Sequence, residues 1–237
     1  MFLRRSWRLR VAALAAASLL PASGAAAPYA ASRSAASRPG SGTTSAAPAE
    51  LPPAISAAAA TRRLTGLTVA GPRPMTGYSR ARFPHWSRHG HDCDTREVVL
   101  ARDGADVKQD ARCRALSGAW HSAYDGEDFD DPARLDIDHM VPLAQAWRSG
   151  ADRWTDARRK EFANDLDGPQ LIAVSAASNR SKGDQSPDRW RPPLPGYWCT
   201  YSRAWIDVKA RYELTVTEPE REALSEMLAT CQGPDEG

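Results

Sequence analysis

The chain has 237 residues and a formal net charge of +2. Its first 25 residues hold four Arg and no acid, so without them the net charge is near −2. That balance excludes attraction to polyanions through overall charge, so a nucleic-acid partner would have to meet a local basic patch. Four cysteines, none in a Cys-x-x-Cys pair, argue against a zinc site built on such pairs.

At the N-terminus, Arg4, Arg5, Arg8 and Arg10 precede an apolar run over 11–20 and a small-residue stretch over 22–27. The order positive, apolar, small is that of a secretory signal peptide, here residues 1–25, and the apolar run is too short to span a bilayer. Arg4-Arg5 hints at twin-arginine export, although the flanking residues fit that route poorly. Residues 26–70 are rich in Ala, Ser, Pro, Thr and Gly and read as a disordered linker or propeptide. Residues 71–237 then form one domain, monomeric and free of the membrane once the signal is removed. Export favours two disulfides. Of the three possible pairings, Cys93–Cys113 and Cys199–Cys231 each close a loop at one end of the domain.

Residues 71–92 have no clear period and contain His85, His89 and His91, which read as loop histidines or, alternatively, as a shared zinc site. Residues 93–102 suggest a short helix with Asp94 near its start and Val98 and Ala101 facing inward, although the run 98–100 would also suit a strand. Residues 113–124 read as a strand leading to a turn at Asp125-Gly126, with Trp120 and Tyr124 in the core. Residues 135–138 alternate as a strand does, and Pro142 ends the pairing. A helix follows over 143–147, stopped by Gly150. Another over 154–166 is capped by Thr155 or Asp156, buries Trp154, Phe162 and Leu166, and presents Arg158, Arg159 and Lys160 to solvent. Gly168-Pro169 turns the chain into a second strand over 170–174. Ser175 caps a helix that carries Asn179 and Lys182 one turn apart. Residues 188–193 are extended, and amphipathic helices over 201–212 and 219–231 complete the core.

The segments Asp136-Ile-Asp-His-Met-Val-Pro142 and Asn179-Arg-Ser-Lys-Gly-Asp184 together resemble the HNH, or ββα-metal, nuclease family. The wording is similar to the HNH domain of RNA-guided CRISPR effectors. The closer likeness is to secreted HNH nucleases and to the C-terminal nuclease domain of modification-dependent restriction enzymes, over roughly residues 80–231. The resemblance implies an α+β fold: a ββα-metal core with a short antiparallel hairpin, surrounded by further helices and stapled by the two disulfides. It also implies a secreted endonuclease acting on DNA, or on RNA, with little sequence specificity and one divalent metal, Mg²⁺ or Mn²⁺.

Carried onto this chain, the resemblance makes His139 the general base and Asp138 and Asn179 the metal ligands. Lys182 would steady the scissile phosphate or leaving group. Gln170 stands where the family usually has Asn, with Asn164 as an alternative holder of the loop. Asp136 would orient His139 or support the metal ligands, Arg180 would contact phosphate or pair with Asp184, and Arg96 would face the site or lie on a helix surface. Other readings are a zinc metallohydrolase using His85, His89 and His91, and a secreted binding module without catalysis.

Overall fold

The computed structural model describes residues 55–90 and 92–231. The expected export signal, residues 26–54 of the expected linker, His91 and residues 232–237 lie outside the described residues. The elements are, in order, α1 (Ala57–Gly66), α2 (Thr95–Asp103), β1 (Gly104–Gln109), β2 (Ala115–His121), β3 (Asp128–Phe129), β4 (Leu135–His139), α3 (Leu143–Arg148), α4 (Asp156–Ala163), β5 (Leu171–Ser175), α5 (Ala176–Lys182), α6 (Trp198–Arg211) and α7 (Glu218–Leu228). This is a mixed α+β arrangement with two antiparallel sheets, β1-β2-β3 and β4-β5. No described helix is long and apolar enough to cross a membrane.

The β4-β5 pair positions everything that follows. Its register sets Asp136 opposite Val174, Asp138 opposite Ile172 and His139 opposite Leu171. Partners in an antiparallel ladder share a face and neighbours alternate, so Asp138 and His139 leave β4 on opposite sides. Ile172 and Val174 pack into the larger core with Met140, Tyr201 and Trp205. Leu171 and Ala173 join Leu135 and Ile137 in a smaller core with Val99, Leu100 and Trp120. With a core on each side, β5 is buried throughout and is apolar from Leu171 to Val174. Pro142 ends the strand by taking the N-cap position of α3.

Local chemistry sets the helices that flank this pair. The Ser175 hydroxyl accepts from the Ser178 amide at the start of α5. Asp125, in the β2–β3 turn, accepts from both the Ser175 and Ser178 hydroxyls. Burial pushes the Asp125 carboxyl up, but the hydroxyls of Ser122, Ser175 and Ser178 outweigh it and leave the group below its ordinary value. Thr217 and Glu220 form a capping box on α7, and Glu220 also accepts from the Trp205 indole at 2.7 Å. Trp120 fills the junction of α2 and the three-stranded sheet, donating to the Leu100 carbonyl at 2.8 Å. A Cβ on Gly118 would stand 2.7 Å from its ring, so the close approach there requires glycine.

Both expected disulfides form. Cys93–Cys113 ties the entry of α2 to the β1–β2 turn, and Cys199–Cys231 ties the first turn of α6 to the end of α7, with Cα separations of 5.0 and 4.9 Å. Such a crosslink typically contributes ~2–5 kcal/mol.

Several expectations are corrected. The linker does not extend to residue 70: α1 is capped by Ser56, buries Ala60 and Leu64 against the core, and pairs Arg63 with the buried Asp207 of α6. Two apolar residues at i and i+4 are enough to dock one helical face, and an Ala-rich composition hides that signal. In α2 the buried apolar residues are Val99 and Leu100, not Val98 and Ala101, because Asp94 caps the helix and fixes its rotation over the small core. β1 escapes a sequence reading because Gly104–Gln109 is polar and its burial does not alternate. Helix α4 ends at Ala163. Its Arg159 is buried, donating to the carbonyls of Arg82 and Ala151 at 3.1 Å each, and is not on a solvated face.

Candidate active site

Helix α5 lies along β4 and is stitched to it at two points. Asn179 Nδ2 donates to Asp136 Oδ2 at 3.1 Å, and Lys182 pairs with Asp138. Three helical residues advance about 4.5 Å and two strand residues about 6.6 Å, so i,i+3 on the helix can meet i,i+2 on the strand. The outer stitch is half-exposed, and Arg180 approaches the same Asp136 oxygen at 3.6 Å. Arg180 therefore pairs with Asp136 and not with Asp184.

The inner stitch is buried. Asp138 Oδ2 accepts from the Tyr124 hydroxyl at 2.6 Å and from Lys182 Nζ, which also donates to the carbonyls of His139 at 2.9 Å and Met140 at 2.8 Å. The rings of Tyr124, Tyr201 and Trp205 each lie 5.6 Å from the ammonium. Burial lowers the Lys182 pKa while Asp138 opposes that shift. Lys182 is 0% exposed; the expectation that it contacts the phosphate is corrected, because all three of its donors are used inside the protein. It anchors Asp138 and the end of β4. Tyr124, which the sequence places simply in the core, is part of the same anchor. Asp138 Oδ1 and Asn179 Oδ1 make no hydrogen bond among the described residues.

His139 occupies the other face of β4. Its Nε2 lies 3.0 Å from the Ala163 carbonyl. A carbonyl can only accept, so the hydrogen-bond network assigns the proton to Nε2 and leaves Nδ1 as the acceptor of a neutral ring. Burial, reinforced by the charge of Arg80 and by His85 and Lys182, pushes the imidazole down to about 3, against the opposing pull of the Ala163 bond. Trp86 stacks on the ring at 5.9 Å and 19°, and His85 meets it edge-on at 6.2 Å. Trp86 adopts φ 60°, a conformation rare for a bulky residue, held by the packed loop around it.

That loop is pinned by Asn164, whose amide donates to Pro84 and Lys160 carbonyls and accepts from the Ser87 amide and the Thr95 hydroxyl, at 2.7–2.8 Å. Gln170 acts elsewhere. Its side chain bonds both the amide and the carbonyl of Val141, at 3.1 and 3.0 Å, continuing the ladder past His139. Asn164 thus pins the loop ahead of α2, and Gln170 orients the backbone at Val141. Arg96 does not face the site: it donates to the carbonyls of Pro132 and Leu135, at the far end of β4. His85 Nδ1 pairs with the Phe83 carbonyl and His89 Nε2 with Thr95. Among the described residues no group of three His, Cys, Asp or Glu is placed to hold a metal.

Asp138, His139 and Asn179 line one cleft of about 200 Å³, together with Tyr78, Arg80 and Arg180. A larger hollow of about 650 Å³, between α4 and the end of α6, contains none of them. Its Arg211 and Tyr212 are already bound to Asp207 and Asp165, so it offers no comparable chemistry.

Residues 95–227 match the family of the C-terminal domain of GmrSD restriction endonucleases. An uncharacterized secreted protein of Arthroderma benhamiae is 54% identical over 186 residues, covering 78% of this chain and 91% of its own. No solved structure matches the chain. The match spans β4, β5 and α5 with every residue that stitches them, and the chain belongs to the family of the C-terminal, HNH-type nuclease domain of GmrSD restriction endonucleases.

Proposed function

We propose that the protein is a secreted, divalent-metal-dependent endonuclease that hydrolyses phosphodiester bonds in DNA, with RNA as an alternative substrate, and with little sequence specificity. The observation that carries this reading is one cleft lined by Asp138, Asn179 and a His139 whose Nδ1 is left as a proton acceptor. Secretion is supported by the two disulfides and by the relative described as a secreted protein.

The donors available in the cleft suit a hard cation. Asp138 and Asn179 would hold it through Oδ1 of each, a carboxylate and an amide oxygen, while Tyr124 and Lys182 occupy the other Asp138 oxygen. Two oxygen ligands fit Mg²⁺ or Mn²⁺, which retain several waters, better than Zn²⁺. When bound, such an ion supplies charge relief on the phosphate and on the departing oxygen. Asp136 acts through Asn179: by accepting from Nδ2 it fixes the amide so that Oδ1 remains for the ligand. His139 Nδ1 takes a proton from water as the water oxygen bonds to phosphorus. The P–O3′ bond then breaks, and the 3′ oxygen takes a proton from solvent. Burial, with Arg80, His85 and Lys182 adding to it, keeps the free ring neutral; the arriving phosphate charge acts in the opposite sense and favours the imidazolium as it forms.

The test is plasmid digestion by the secreted protein with and without EDTA, followed by magnesium or manganese add-back and end-group analysis. The expected result is metal-rescued cleavage leaving 5′-phosphate and 3′-hydroxyl ends. His139→Ala should lose on the order of 10²–10⁴-fold in turnover while still folding and binding DNA. A His139→Ala protein that cleaves at the wild-type rate would overturn the assignment.

A further inference from the structure

We infer that Arg80 is the phosphate-gripping cation of this cleft, supplying the positive charge that the motif alone would assign to Lys182. The inference rests on the nuclease reading above and adds a binding residue to it. With Lys182 buried and all its donors used, any side-chain cation that meets the scissile phosphate has to be another residue. Two arginines line the cleft, Arg80 and Arg180. Arg180 approaches Asp136 at 3.6 Å. The Arg80 side chain has no hydrogen bond, ion pair or ring contact among the described residues.

Its backbone, in contrast, is well fixed. Arg80 opens a turn of 3-10 helix, Arg80–Arg82, whose end is closed by the Phe83 amide donating to the Arg80 carbonyl at 3.0 Å. Phe83 itself is fully buried in the larger core, and Arg82 is held over the Trp147 ring at 5.4 Å. The turn thus presents, from a rigid base, a guanidinium unpaired among the described residues to the cleft that Asp138, His139 and Asn179 also line. A planar fork of N–H donors can bind two non-bridging oxygens of a phosphodiester at once, which a lone ammonium does less specifically. Arg80 precedes the family-matched segment, 95–227, so the family match assigns it nothing.

The experiment compares wild type, Arg80→Gln, Arg80→Lys and His139→Ala on a labelled DNA duplex with Mg²⁺, measuring kcat and KM. Duplex affinity is then measured against salt for His139→Ala with and without Arg80→Gln, where no turnover interferes. Arg80→Gln should lower kcat/KM on the order of 10²–10³-fold, as loss of one transition-state donor does, with Arg80→Lys recovering part. The slope of log affinity on log salt should fall by about one in the double variant, the signature of a single lost phosphate contact. Thermal melting of Arg80→Gln should match wild type. Wild-type kcat/KM in Arg80→Gln, a loss with unchanged salt slope, or a lowered melting point would each overturn the inference and leave the nuclease reading standing. Wild-type cleavage by His139→Ala would remove that reading and the inference with it.

Discussion

Strand β4 carries two aspartates two residues apart on the same face, and the protein treats them oppositely. Asp138 is buried, held by a buried lysine and a tyrosine, while Asp136 stays half-exposed between an amide and a surface arginine. Both are tied to the same helix. The difference lies in what covers each acid: Asp138 is enclosed with Lys182 by Tyr124, Tyr201 and Trp205, whereas Asp136 meets, among the described residues, only Asn179 and the exposed Arg180. An ion pair removed from water is sensitive to the loss of either member, whereas an exposed one is screened and replaceable. The inner pair therefore holds the fold of the site, and the outer pair tunes the aim of one side chain.

The largest effect should come from the inner cation. Lys182→Met leaves Asp138 buried without its partner and should cost ~3–5 kcal/mol, read as a shifted denaturation midpoint. If stability were untouched and only kcat fell, Lys182 would be a phosphate contact after all. Asp136→Ala should act on chemistry more than on folding: an unanchored Asn179 amide should lower metal affinity or turnover roughly 10–100-fold, with a near wild-type midpoint. Equal losses of stability in the two variants would erase the distinction drawn between the two acids.

His139, on the opposite face, sharpens the same contrast through pH. Its imidazole is pushed to about 3 in the fold, chiefly by burial, against ~6.5 when unfolded. Below the unfolded value the unfolded chain takes up the proton that the fold refuses. Stability contributed by the neutral ring is thus full above pH ~6.5 and is lost as pH falls towards 3. In chelator, the acid-side decline of the melting temperature should be shallower for His139→Gln than for wild type. The smallest effect belongs to the outer cation: Arg180→Ala, whose side chain is 76% exposed, should change stability by only ~0–1 kcal/mol.

The backbone of the site is legible in the sequence, and the direction of its long side chains is not. Alternation through Leu135, Ile137 and the polar residues between them, the stop at Pro142, the Gly168-Pro169 turn and the Ser175 cap are local signals, and each corresponds to an observed boundary. The spacing that puts Asn179 and Lys182 one helical turn apart is local too. Whether a lysine there meets solvent or a carboxylate depends on what packs over it, here Tyr201 and Trp205 from α6, some twenty residues further along the chain. Arg159 is hidden for the same reason, because its acceptors come from loops around α4. Asn164 leaves only a faint trace, as a possible substitute for Gln170. Nothing local tells an amide that pins a distant loop from one that decorates a surface.

Because β5 is packed by a separate apolar cluster on each side, neither cluster can open while the other stays shut. The strand is common property, and melting should proceed as one event with no half-open form that keeps the groups of the cleft assembled. The amide protons of Ile172 and Val174 should consequently be among the slowest in the domain to exchange with deuterium, at a rate set by global opening.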